Sequence, residues 1–150
     1  MIEEQPVSDT SGSDQTAAGD VVMSVRDLLD LLEEKVAKDE PDHLQAFNEI
    51  FNEHSLAAYG IDINAGELCR LDAAIMLHTY MREVVGIPDL EDISGAAVLK
   101  DLYDCRKCVN HIAQVYLRGL IRPVSYPLPD GKVITVFDGR GNMKKSALCT

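Results

Sequence analysis

The sequence predicts a mainly α fold, a helical repeat-like single domain of about four to five helices that closes on a C-terminal β-hairpin. Three observations carry this. Apolar residues recur at three- and four-residue steps in successive stretches between Val25 and Leu120, glycines and prolines stand between those stretches, and beyond Pro123 the pattern becomes extended around Pro129-Asp130-Gly131.

The first twenty residues are mostly small and polar or acidic, so ordering them would cost backbone entropy with little burial to offset it. Segment 1–20 therefore reads as a disordered tail, 21–140 as the domain and 141–150 as a flexible tail. Ser24 is a good N-cap, and Val25, Leu28, Leu29, Leu32 and Val36 follow as one helical stripe that ends before Pro41. A second helix carries Leu44, Phe47, Ile50 and Phe51 and turns near Tyr59-Gly60. The most apolar run, Leu68 to Leu77, opens a third helix predicted from about Glu67 to Val85. Its buried side should hold Leu71, Ala74, Ile75, Met81 and Val85, and Gly86 and Pro88 stop it. Ala96 to Leu120 has helical spacing throughout, as one helix or as two with a break before Asp104, and Gly119 supplies a left-handed cap. Val124 to Leu128 and Val133 to Phe137 form the hairpin.

Composition removes several function classes. With 14 Lys+Arg against 25 Asp+Glu the formal charge is -11, which repels phosphate backbones, so no nucleic-acid partner is expected. No uncharged run approaches the roughly 20 residues of a transmembrane helix. Trp is absent, leaving an aliphatic core. The acidic start Met1-Ile2-Glu3-Glu4 does not resemble a secretory signal and reads as cytoplasmic. No phosphate loop, nucleophile elbow or His-Glu-x-x-His occurs, so no catalytic residue and no cofactor is expected.

Cys105, Cys108 and His111 have the most chemical-looking spacing, since three-residue steps put them on one helix face. A metal site would need a fourth ligand from Cys69, His78 or Cys149, and a redox pair would need a strand before it. The plainer reading is a pair of small buried cysteines with a polar His at the rim. Asp62-Ile63-Asn64-Ala65-Gly66, followed by Asp72, has the look of a calcium loop but is one residue short and lacks an acidic ligand. Its plainer reading is a helix start capped by Asp62 or Asn64. His78, alone on its helix, reads as a hydrogen-bonded interior residue.

Leu68-Cys69-Arg70-Leu71-Asp72-Ala73-Ala74 resembles the Ile-Thr-Arg-Ala-Glu-Ala-Ala motif that opens a helix in S-layer homology domains. Asp92 and Gly119-Leu120-Ile121 follow in the order of that family's later landmarks, so the resemblance spans about residues 42–138. It implies a bacterial, non-enzymatic module that binds cell-wall polysaccharide at the cell surface. It further implies that Arg70 pairs with an acidic sugar and that Asp72 binds a hydroxyl or steadies the helix. The alternative from the same fold is a cytoplasmic protein that binds another protein.

Overall fold

A computed structural model describes residues 21–148; the segment 1–20, read as a tail, and Cys149 lie outside the described residues. Five α-helices and one two-stranded antiparallel sheet are present among them, so the mainly helical fold with a C-terminal hairpin is the architecture found.

Helix α1 (Val25–Asp39) begins at a capping box in which Ser24 Oγ accepts from Asp27 N and Asp27 Oδ2 accepts from Ser24 N. Its predicted stripe, Val25, Leu28, Leu29, Leu32 and Val36, is buried. The second helical stretch is two helices, α2 (Leu44–Ile50) and α3 (Glu53–Ala58). Asn52 divides them. Its side-chain nitrogen donates to the carbonyls of Asn48 and Glu49, and its oxygen accepts from Ser55 N, so one amide closes α2 and caps α3.

Helix α4 (Arg70–Thr79) starts later than its spacing predicts, with Cys69 rather than Asp62 or Asn64 as N-cap. Ala73, Ala74, Met76, Leu77, His78 and Thr79 are all buried, while Leu71 and Ile75 are only partly so. A helix buried almost all round sits at the centre of its domain. It continues as a π-helical turn (Tyr80–Val85) that ends on Gly86 at φ 86°, where the missing Cβ permits the left-handed turn.

The 96–120 segment is not one long helix. It forms 3-10 turns at Ser94–Val98, Leu102–Asp104 and Arg106–Cys108, and only then α5 (Val109–Leu117). Competing partners explain the difference. Leu99 is extended and bridges Thr135, Lys100 N donates to the Thr135 carbonyl, and Asp101 binds two backbone N–H groups beyond the hairpin. A continuous helix could not make those contacts. Gly119, at φ 72°, then ends α5 as its position predicted.

The hairpin pairs β1 (Val124–Pro127) with β2 (Val133–Val136), Val124 opposite Val136 and Pro127 opposite Val133. After it the chain returns to the core. Met143, in the segment read as a flexible tail, is fully buried and sits in a short ladder: Met23 N donates to the Met143 carbonyl, Met143 N to that of Leu68, and Leu68 N to that of Met23. The ends of the described chain and the start of α4 are thereby joined.

Candidate functional site

The α4 motif is the natural place to build from, since four segments meet at its first turn. Cys69 Sγ lies 3.4 Å from Asp72 N, acting as the cap a threonine hydroxyl would otherwise provide. Burial raises the Cys69 thiol and the Asp72 carboxyl above their ordinary values, and the contact between them partly offsets the Asp72 shift.

Arg70 is where the geometry departs most from the role the resemblance implies. It is 5% exposed. Its Nε donates to the Phe137 carbonyl at 2.8 Å, its Nη2 donates to the Arg122 carbonyl, and the guanidinium lies 5.2 Å from the Phe137 ring centre. Burial pulls its pKa below the usual arginine value, and the carboxylates of Asp138 and Asp101 push back. Arg70 thus fastens α4 to the end of β2 and to the segment before β1, and it presents no guanidinium face to solvent. Asp72, partly buried at the third position of the helix, serves the helix start.

Beside this turn lies a cavity of about 440 Å³, within the usual range for small-ligand sites. Leu71 and Ile112 give it an apolar wall; Asp101, Asp104, Asp138 and Arg140 give it charge. Asp101 is committed to structure, its two oxygens accepting from Phe137 N at 2.8 Å and Asp138 N at 2.7 Å. Asp104 and Arg140 are exposed and make no side-chain hydrogen bond among the described residues, so both can meet a ligand. Asp138 adopts φ 61°, tolerated by aspartate, and turns the chain so that Gly139 packs on Leu71. A wider depression of about 610 Å³ lies along α1, lined by Asp27, Asp30, Glu34 and Lys145. Its polar groups belong to a solvated helix face, so the smaller cavity at the motif is the stronger site.

Cys105 lines that smaller cavity and is bonded to Cys108. Of the expected pair of small buried cysteines, Cys108 is buried and Cys105 only partly so, and as disulfide sulfurs neither carries a thiolate that could join His111 in binding a cation. The bond closes across the 3-10 turn Arg106–Cys108, with the two Cα atoms 5.2 Å apart. Of the calcium-like loop, Asp62 Oδ1 accepts from Asn64 N at 2.9 Å, an Asx turn. No group of three or more His, Cys, Asp or Glu placed to hold a metal occurs among the described residues.

His111 instead meets His78 across the α4–α5 contact, with 2.8 Å between their Nδ1 atoms. His78 Nε2 donates to Asp89 Oδ1 at 2.7 Å, leaving Nδ1 as the acceptor of a proton held on His111 Nδ1 in the neutral pair. Asn110 donates to the other oxygen of Asp89, and Arg82 stands 3.6 Å from it. Burial lowers the His111 pKa, helped by His78 and Arg82 against the opposing pull of Asp89. For Asp89, burial alone would raise the pKa; hydrogen bonds from His78 and Asn110 and the Arg82 charge outweigh it and hold the carboxyl low. Fully buried Gln114 completes the network, exchanging hydrogen bonds with Leu90 N and O. No serine, threonine or cysteine joins it through a hydrogen bond among the described residues.

Sequence reasoning missed Asp89, Asp101, Asp104, Asp138 and Arg140. The one available signal was their position beside turns, where polar side chains serve either the backbone or a ligand. No family model, curated protein or solved structure matches this chain.

Proposed function

We propose that the chain is a non-enzymatic saccharide-binding module, the class to which the S-layer-homology-like motif points, and that the cavity at the start of α4 holds the sugar. One observation carries this: a concave site whose lining combines the aliphatic Leu71 and Ile112 with the charged Asp104, Asp138 and Arg140. Carboxylates accept hydrogen bonds from sugar hydroxyls, a guanidinium donates to ring and hydroxyl oxygens, and aliphatic side chains pack on the apolar C–H face of a pyranose. Arg70 is enclosed, and the carboxylates of the lining outnumber its one arginine, so the favoured ligand is a hydroxyl-rich cell-wall polysaccharide with little negative charge.

The test is co-sedimentation with purified Gram-positive cell-wall polysaccharide. Arg140→Ala and Asp104→Asn alter exposed groups and should each weaken pelleting several-fold with the thermal midpoint unchanged. No pelleting of the unaltered protein with neutral or acidic wall polymers would end this reading.

A second reading, a module that binds another protein, is favoured by the hairpin. Tyr126, Leu128 and Val133 are 47%, 37% and 62% exposed on it. Val133→Lys would abolish capture of such a partner and leave polysaccharide pelleting intact.

A further inference from the structure

We propose that the Cys105–Cys108 disulfide is a thiol-exchange site whose oxidation state sets the shape of the cavity at the α4 motif. The argument begins with what holds the cavity wall. Leu99 and Lys100 are tied to Thr135, Asp101 to the backbone of Phe137 and Asp138, and Leu102 is 1% exposed in the core. Beyond Leu102 those ties stop. Tyr103, Asp104, Arg106 and Lys107 are all exposed, and the disulfide is the covalent link of this stretch to the residue that opens α5. Asp104 and Cys105 are the cavity-lining members of that stretch. The disulfide is thus the strongest restraint on the side of the cavity that carries Asp104.

The two sulfurs are unequal. Cys105 is partly exposed at the cavity, whereas Cys108 is 7% exposed at the N-terminus of α5, next to Arg106 and Lys107. An incoming thiolate reaches Cys105 Sγ, and a thiolate left on Cys108 lies at the positive end of the α5 dipole. With a dithiol as reductant, one sulfur of the donor bonds to Cys105 Sγ as the Sγ–Sγ bond breaks and its electron pair leaves on Cys108. The donor's second thiolate then displaces Cys105. The protein gains two electrons and two protons, and the donor leaves as a disulfide. Oxidoreductases put their exposed attacking cysteine at the helix start, and here the buried partner is there, which suits a bond that is acted upon.

The exchange stands on the residues alone; its effect on binding rests on the cavity being the saccharide site. The test compares the full chain as purified with the same chain reduced by dithiothreitol. Differential alkylation read by mass spectrometry should find Cys105 and Cys108 protected before reduction and modified after it. Hydrogen exchange over residues 102–108 should quicken at least several-fold on reduction while α1 stays unchanged, and wall-polysaccharide pelleting should weaken several-fold. The double variant Cys105→Ser, Cys108→Ser should match the reduced form with or without dithiol. Free thiols at both positions in the untreated protein, or equal exchange over 102–108 in both states, would overturn the proposal, as would a double variant that behaves like the oxidised chain. Equal pelleting of both forms would overturn the link to the cavity. If neither form pellets, the saccharide reading fails, and alkylation and exchange still decide the thiol site.

Discussion

Arg70 donates to two backbone carbonyls on segments more than fifty positions away along the chain and covers the Phe137 ring. Removing it leaves both carbonyls without that donor, the Phe137 carbonyl in the interior and the Arg122 carbonyl part-buried, and each buried unsatisfied group costs about 1–3 kcal/mol. Arg70→Ala should therefore lower unfolding free energy by about 2–4 kcal/mol in urea titrations, whatever the ligand. Loss of binding without loss of stability would show instead that the side chain faces a ligand. At the His78–His111 pair the sign of the pH effect follows from burial. Unfolded histidine titrates near 6.5, and His111 in the folded protein takes its proton only at lower pH. Below about 6.5 the unfolded chain binds more protons, so the full stability present above that pH declines as acid is added. Asp89, held low by His78, Asn110 and Arg82, acts in the same direction in more acid solution, through its own depressed range. Urea midpoints should fall between pH 7.5 and pH 5. In His111→Gln the fall should be smaller, and an equal fall would remove His111 as its source.

Among the elements, α1 was fully legible, because one cap and one stripe act within a few residues. Ser24→Ala should cost about 1 kcal/mol, seen as a lower urea midpoint with an unchanged slope. The 96–108 segment was illegible for an equally physical reason. Its spacing is helical, and the interactions that override it come from Thr135, Phe137 and Asp138, far along the chain. Arg70 belongs to the same class: its motif was readable, its carbonyl partners were not. Cys105 and Cys108 were visible as a pair, but a three-residue spacing suits thiols, metal ligands and a disulfide alike, so their bond was not. The turn glycines behave differently, since Gly86 and Gly119 were marked as stop signals and both hold positive φ. Gly86→Ala should lower stability by about 1 kcal/mol or more in the same titration, because the left-handed conformation penalises a Cβ.

For the whole molecule the least expected member of the core is Met143. It lies fully buried between Met23 and Leu68 in a stretch with no periodic signal of its own, because a segment only a few residues long shows no repeat. Met143→Ala should cost about 2–5 kcal/mol by thermal or urea unfolding. A cost below 0.5 kcal/mol would mean the terminal segment is not part of the cooperative unit.

The same ladder bears on how the domain responds to force. Val22 and Lys144 are antiparallel neighbours, and Lys145 N bonds to the Val21 carbonyl outside the pair formed by Met23 and Met143. Tension applied at residues 21 and 145 therefore loads these bonds one after another, the outermost first, instead of shearing them together. Each is weak alone, so the opening force is set by a single bond at a time. Once Met143 is drawn out, the load passes to the bonds at the start of α4, from Arg70 N to the Gly141 carbonyl and from Leu71 N to the Gly139 carbonyl.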